Sequence, residues 1–384
     1  HNPLADDVIG MMDAHLSQHK GRQTLYQNQD FWLSDAFPND YDIASLSWVR
    51  NIKVDDDGYA NSIYLSRAYS SLQRYKSGQT DEEYPIGLPV IEGDNDFSIE
   101  DASNWVIDLQ NSLPEPYLGY IHFLPPHAPY RTRREFHGVF AHDGYKPVNK
   151  PMHFMASLDI THPESHTRDA YDEFIMLVDS EIQRIMDNLN FRRNNTWVII
   201  TSDHGEIFER GLVAHQMPSM YEPLIHVPLI IFPPELEERV DVFTPTMAVD
   251  LLPTISHLID SPQQSWFAGS VLPPFNREID ESRSVFVMDG KWNQPGEPWE
   301  TGTIVLRKGA YKLIYSFGTL RHYAALNGKR RLELFNLEED SEEMNNLAGE
   351  MPGLVASFID EIHTRLDERG LLYSGQGLLP TEIP

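Results

Sequence analysis

Cysteine is absent from the 384 residues, which removes disulfides, thiolate metal sites and a cysteine nucleophile from consideration. Basic residues are scarce. Thirty Lys and Arg stand against 58 Asp and Glu, a formal charge of −28, and a surface of that sign repels nucleic acid and anionic membranes. No run approaches the roughly 18 consecutive apolar residues of a membrane span. The opening stretch HNPLADDVIGMMDAH lacks the basic start and apolar centre of a secretory leader, so the chain as given is expected to be soluble. No internal repeat or low-complexity tract occurs, which disfavours a solenoid. No G-x-S-x-G elbow occurs either, leaving a Ser-His-Asp triad unsupported.

What is present is an alternation of elements. SIEDASNWVIDLQN, 98–111, spaces Ala102, Trp105, Val106 and Leu109 along one face of a helix. RDAYDEFIMLVDSEIQRIMDNLN, 168–190, repeats Tyr171, Phe174, Ile175, Val178, Ile182, Ile185, Met186 and Leu189 at helical spacing. YLGYIHFL (117–124), WVIIT (197–201) and PLIHVPLIIF (223–232) read as buried strands, and MAVDLLPTISHLI (247–259) as a helix. Helices alternating with fully apolar strands predict an α/β fold, a mainly parallel sheet sandwiched by helices. From about 283 the texture changes. SVFVMDG, GTIVLRKGAYKLIYSF and LELFNL are polar-edged strands, followed by a helix near 352–367, so a small C-terminal antiparallel sheet with one closing helix is expected. The division is drawn at 1–280 and 281–384.

In open α/β sheets ligands gather beyond the carboxyl ends of the strands, where loops converge on a rigid frame. YLGYIHFL runs into PPHAPY and WVIIT into SDHGE. The first loop offers His127 between prolines; the second offers Asp203 and His204, oxygen and nitrogen donors that suit a hard or borderline divalent cation, with Gly205 letting the chain turn away. His215 stands shortly before the next apolar run. An Asx-type turn would equally explain Ser202 and Asp203 without any metal. His122 and His226 lie inside strand-like runs and are taken as packed core residues. KVDDDGYA (53–60) lacks the ligand spacing of a calcium loop and reads as a solvated loop. Asn194-Asn195-Thr196 fits a glycosylation sequon as a pattern only, and PELEERVD (234–241) reads as a solvated turn.

Four separated segments in this order resemble the sulfatases of the alkaline-phosphatase superfamily: PHAPY, SDHGE, YEPLIHVPLIIF and LELFNLEEDSEEMNNLAGE. In the last, Leu334, Phe335, Asn336, Leu337, Glu343, Asn346 and Leu347 fit the family's C-terminal signature, and MAVDLLPTISHLI with FAGSVLPPF is similar to its helix and "gly-x-ser-leu" loop. The resemblance spans about residues 99–367. It implies an alkaline-phosphatase-like fold and hydrolysis of a sulfate ester with one divalent ion, calcium before magnesium, manganese or zinc. Asp203 and His204 match the family's later pair of metal ligands, and His127 the histidine that touches the anion's oxygens. His215 matches the residue beside the scissile oxygen. The implied substrate is a small-molecule or carbohydrate sulfate or phosphate ester.

The sequence departs from the family at two places. The Lys that many sulfatases carry about four residues before the Tyr-Glu pair is Met217 here, a feature shared with phosphatases and phosphotransferases of the superfamily. The nucleophile motif, Cys or Ser followed by x-Pro-x-Arg, does not occur, so a separate N-terminal segment is expected to carry it. Two further readings stay open: a degenerate member that binds an anion without turnover, and a noncatalytic scaffold whose Asp and His cap loops.

Overall fold

The computed structural model describes residues 82–87, 89, 99–112, 116–156, 167–189, 195–215, 219–234, 238–276, 283–290, 293, 299–319 and 321–368. Residues 1–15, the 53–60 loop and Asn194 of the sequon lie outside them. The chain divides into two compact units, residues 1–146 with 161–195, and residues 147–160 with 196–384. Among the described residues no helix is long and apolar enough to cross a membrane.

The first unit pairs helix α1 (Ile99–Ser112) with helix α2 (Arg168–Asn188). The Thr167 hydroxyl caps α2 by accepting from the amide of Ala170 at 3.3 Å, which satisfies one of the helix's orphan donors. Its buried stripe is Ala170, Phe174, Leu177 and Ile185, with Glu173 and Glu181 in the same stripe. Ile175, placed on the apolar face by periodicity, is exposed. Burying Glu181 is tolerable because Arg184 answers its charge at 2.5 Å. The same guanidinium donates to Asn104 Oδ1 at 2.7 Å and to the Glu100 carbonyl at 3.0 Å, stitching α2 to α1.

The 117–124 run is a correction. Its residues form no strand, and Leu118 and Tyr120 are 81% and 84% exposed. An apolar run expresses a demand for burial but does not supply a pairing partner, and no described strand takes this one up. His122, expected in the core, is exposed with it and bonds Tyr120 Oη through Nδ1 at 3.3 Å.

The second unit contains every described strand. β1 (Val198–Thr201) pairs with β2 (Leu229–Phe232), and the pairing is antiparallel, Val198 opposite Phe232 and Thr201 opposite Leu229, where the apolar texture suggested parallel neighbours. The run 223–232 is only half strand. Glu222–Ile225 forms the short helix α3, with Pro223 in its first turn, before β2 begins. His226 closes that helix with its side chain 76% exposed, so it too is no core residue. A 3₁₀ turn (Ala248–Asp250) leads into α4 (Leu251–Leu258). Asp250 is fully buried. Its carboxylate takes both guanidinium arms of Arg283, at 2.8 and 2.5 Å, and accepts from the amides of Met247 and Ser270.

The C-terminal half follows expectation: β3 (Ser284–Asp289), β4 (Gly302–Lys308), β5 (Tyr311–Phe317) and β6 (Arg331–Asn336) form one antiparallel sheet in sequence order, followed by helix α5 (Pro352–Glu368). Strand period two sorts its side chains onto opposite faces. Ile304, Leu306, Leu313, Tyr315 and Leu334 pack under Val355, Phe358 and Ile362 of α5. Val305, Ile314 and Phe335 face the other way, into a second core with Ile207, Leu212 and Tyr221. Each such fully buried side chain contributes on the order of 1.5–3 kcal/mol, so the sheet is anchored on both faces. The second face is the floor on which the loop after β1 rests.

Candidate functional site

β1 delivers the chain into Ser202-Asp203-His204-Gly205-Glu206. Ser202 Oγ donates to the His204 carbonyl at 2.6 Å, and Asp203 Oδ1 accepts from the His204 amide at 2.9 Å. Both are local side-chain bonds, and the second reaches the next residue rather than the one two positions on that defines an Asx-type turn. They also fix the His204 backbone. His204 Nδ1 lies 2.9 Å from the Gly205 carbonyl; because a carbonyl only accepts, Nδ1 carries the hydrogen and Nε2 is left as the donor atom for a ligand. Gly205 is required by space: a Cβ there would stand 2.1 Å from the Pro223 carbonyl oxygen, while its amide donates to Leu224 O at 2.8 Å.

Beyond Glu206 the chain doubles back. Ile207, fully buried, forms an antiparallel bridge with Ala214, and the turn between them uses left-handed backbone at Arg210, Gly211 and Ala214. This return sets His215 beside Glu206. The two share a short hydrogen bond between His215 Nδ1 and Glu206 Oε1, and the Glu206 side chain is only 4% exposed. The rings of His204 and His215 lie 4.1 Å apart, centroid to centroid. One donor atom each from His204, Glu206 and His215 falls within 4.8 Å of the others. Asp203 is the outlying member: its side chain is 58% exposed, with Oδ2 3.6 Å from His204 Nε2. The structure brings His204 and His215 together with Glu206, which sequence reading passed over, while Asp203 adjoins His204.

His127 belongs to the first unit. Its amide donates to Leu124 O at 2.9 Å and its Nδ1 meets the Ala128 carbonyl at 2.6 Å, so this ring too has a fixed tautomer.

The loop's footing is ionic as well as apolar. Lys312 of β5 is fully buried and holds Glu222 at 2.8 Å and Glu343 at 2.7 Å, joining the start of α3 to the turn after β6. Burial alone would raise the Glu222 carboxyl; Lys312 outweighs it and holds the group below its ordinary range. In Glu343 burial wins over the same lysine and the carboxyl is raised. Arg210 donates to the carbonyls of Glu342 and Glu343 and lies over the Tyr221 ring at 4.1 Å. Tyr221, pushed up by burial and then by Glu333, donates to Glu333 at 2.9 Å. His153, against Tyr221 and Phe154, is pushed down to about 4 by burial. Asn346 of the C-terminal signature accepts from the amides of Leu334 and Ala348, both at 3.0 Å. Glu222, Glu343 and Asn346 are thus framework residues.

The donors present fit a divalent cation: an exposed carboxylate, a buried one and two imidazoles, one of them with its second nitrogen already tied to a carbonyl, as metal-bound histidines have.

The Sulfatase family model matches residues 33–261, more than half of the chain. The chain belongs to the sulfatase family. The chain is 26% identical over 304 residues to YidJ, an uncharacterized sulfatase of Escherichia coli K12, a match covering 71% of this chain and 58% of that protein. It is 26% identical over 389 residues to arylsulfatase K of Danio rerio, covering 88% of this chain and 69% of the relative. Among solved structures, BT1596, a 2-O GAG sulfatase, aligns over 80% of this chain and 70% of its own with a TM-score of 0.51 at 18% identity. That likeness shows a fold shared with this sulfatase. The chain spans less than two thirds of the length of YidJ.

Proposed function

We propose that this sulfatase-family chain serves in a metal-dependent sulfuric ester hydrolase acting on a sulfated carbohydrate. The observation that carries the reading is the meeting of His204 and His215 at the end of β1, rings 4.1 Å apart over a buried Glu206. Asp203 and His204 would hold the ion as part of a larger ligand set, since a calcium-type cation takes six or more oxygens. Such an ion, when bound, supplies positive charge beside the anion. His215, with Nδ1 engaged by Glu206, keeps Nε2 as the atom that would give a proton to the departing alkoxide. Prepositioned donors of this kind are worth several kcal/mol to the transition state. His127 would contact the sulfate oxygens. A carbohydrate substrate is supported by the GAG sulfatase among the structural relatives.

The family's nucleophile motif, Cys or Ser followed by x-Pro-x-Arg, does not occur in the given sequence. The mainly parallel sheet remains part of this proposal, the described strands supplying antiparallel pairs. The test is sulfate release from 2-O-sulfated disaccharides by the purified protein, run beside phosphate release from a sugar phosphate. Sulfate release lost in His215→Ala and Asp203→Ala is the expected result. Phosphate release without sulfate release would overturn the ester assignment in favour of the phosphatase alternative.

A further inference from the structure

We infer that Arg210 is the positioning residue for His215: its buried guanidinium sets the shape of the hairpin that folds His215 onto Glu206. Backbone strain marks the place. Among the described residues six that are not glycine adopt left-handed backbone, and four of them lie on or against this hairpin. Arg210 and Ala214 are in it, Glu343 offers its carbonyl to Arg210, and Met220 precedes Tyr221, whose ring Arg210 covers. A residue with a Cβ enters that region at a cost, so the surrounding contacts must hold it there, and such strain gathers where a site needs an exact shape.

Arg210 supplies those contacts. It is 6% exposed at a φ of +57°. Its Nη2 donates to the Glu342 carbonyl at 3.1 Å and to the Glu343 carbonyl at 2.5 Å, while the guanidinium lies 4.1 Å from the centre of the Tyr221 ring. Its own carbonyl accepts from the His153 amide at 2.9 Å. Beside it, Lys150 fastens Glu209 to Glu342, at 2.7 and 2.6 Å. The turn between Ile207 and Ala214 is therefore tied to three separate stretches of chain, at 150–153, 221 and 342–343.

The effect falls at the open end of the hairpin. Glu206 and His215 are the next pair outward from the Ile207–Ala214 bridge, and left-handed Ala214, at a φ of +64°, redirects the chain just before His215. A slip of one residue would turn the imidazole to the opposite face, so the bond between His215 Nδ1 and Glu206 depends on the turn keeping its shape. Arg210 acts on that bond through the bridge, with no hydrogen bond of its own to either partner. In hydrolysis it would keep Nε2 of His215 aimed at the departing oxygen. That consequence rests on the proposed function; the positioning itself does not.

The experiment is proton NMR of the 384-residue chain carrying isotope-labelled histidine, with a chelator present and no substrate. In the wild type the His215 Nδ1 proton, held in the short bond to Glu206, is expected as a far-downfield, slowly exchanging resonance, assigned by its loss in His215→Ala. Arg210→Met should abolish it. Arg210→Lys should weaken it, because an ammonium cannot bond two successive carbonyls and lie flat on a ring. Near-ultraviolet circular dichroism reports whether each variant folds, and Arg210→Lys decides if Arg210→Met does not. Arg283→Met, which strips the buried Asp250 of its partner, destabilises the same unit and should leave the resonance in place. Absence of the resonance from the wild type, its survival at full strength in the folded Arg210 variants, or its equal loss in Arg283→Met would overturn the assignment. The resonance needs no turnover, so failure of the positioning and failure of sulfate release are separate results.

Discussion

Lys312 Nζ stands 2.7 Å from Glu343 Oε1 with both side chains essentially sealed from water, and the same ammonium holds Glu222 at 2.8 Å. One buried cation thus serves two carboxylates. Lys312→Met removes the ammonium that both share, leaving Glu222 with Arg307 at 3.9 Å and His226 at 3.6 Å, and removing one partner of a buried charge set costs about 3–5 kcal/mol. Urea unfolding at neutral pH should show a loss of that size.

The two carboxylates respond oppositely to pH. Glu222 is held low in the folded state, so its contribution is complete above the ordinary carboxylate range and is lost as pH falls through its folded value. Glu343 is held high by burial, so the folded state binds its proton more tightly, and that contribution is lost as pH rises through the raised value. Glu343→Gln keeps an acceptor for the Glu222 amide, which now bonds Glu343 Oε2 at 2.9 Å. The variant should gain on the wild type as pH rises from 4 to 7, measured by unfolding at each pH. A difference that stays flat would contradict the buried-proton account.

His153 gives a separate acid limb. Burial lowers its imidazole from 6.5 to about 4, so the folded state resists a proton that the unfolded chain accepts. Stability from this group is full above the unfolded value and drains between pH 6.5 and 4, by about 3 kcal/mol in total. In His153→Phe that slope should vanish, at the expense of the bond that Nδ1 accepts from the Met155 amide at 3.2 Å. Chemical denaturation at pH 7, 5.5 and 4.5 reads the slope directly.

Gly205→Ala would drive a methyl group to 2.1 Å from the Pro223 carbonyl, which is backbone and cannot swing aside. A loss of about 1–3 kcal/mol is expected from such overpacking. Gly349→Ala, where a Cβ meets nothing within 4 Å, should be neutral. Equal melting temperatures for the two variants would refute the crowding at Gly205.

Arg283→Met should destabilise as strongly as Lys312→Met, because Asp250 is fully buried and receives both guanidinium arms. Arg283→Lys should rescue only part of the loss, since an ammonium cannot reproduce the two-pronged contact. Thermal unfolding of the three proteins ranks them.

Local pattern made much of this fold legible. Phe174 and Ile185 of α2, the alternation through Ile304, Val305 and Leu306, and the helix after Pro352 all follow from period. Pairing direction did not, because Ile199 and Ile231 are apolar on a run with no alternation, and such a run says nothing about its neighbour's sense. Residues 223–225 became helix because Pro223 suits a first helical turn better than a strand interior. In the site, Asp203, His204 and His215 were visible as chemistry at strand ends. Glu206 was quoted but unweighed: its role arises only when the Ile207–Ala214 bridge folds His215 back onto it, a contact nine positions distant. Lys312 was invisible for the same reason, since 90 residues separate it from Glu222.

The uncovered run around Leu118, Tyr120, Ile121 and Leu124 bears on how the purified chain will behave in a tube. Exposed bulky apolar groups, with no strand paired to them among the described residues, offer adhesive surface to other molecules. The strong negative charge of the chain works against that stickiness, and added salt weakens the repulsion. Light scattering should therefore climb with ionic strength as association sets in.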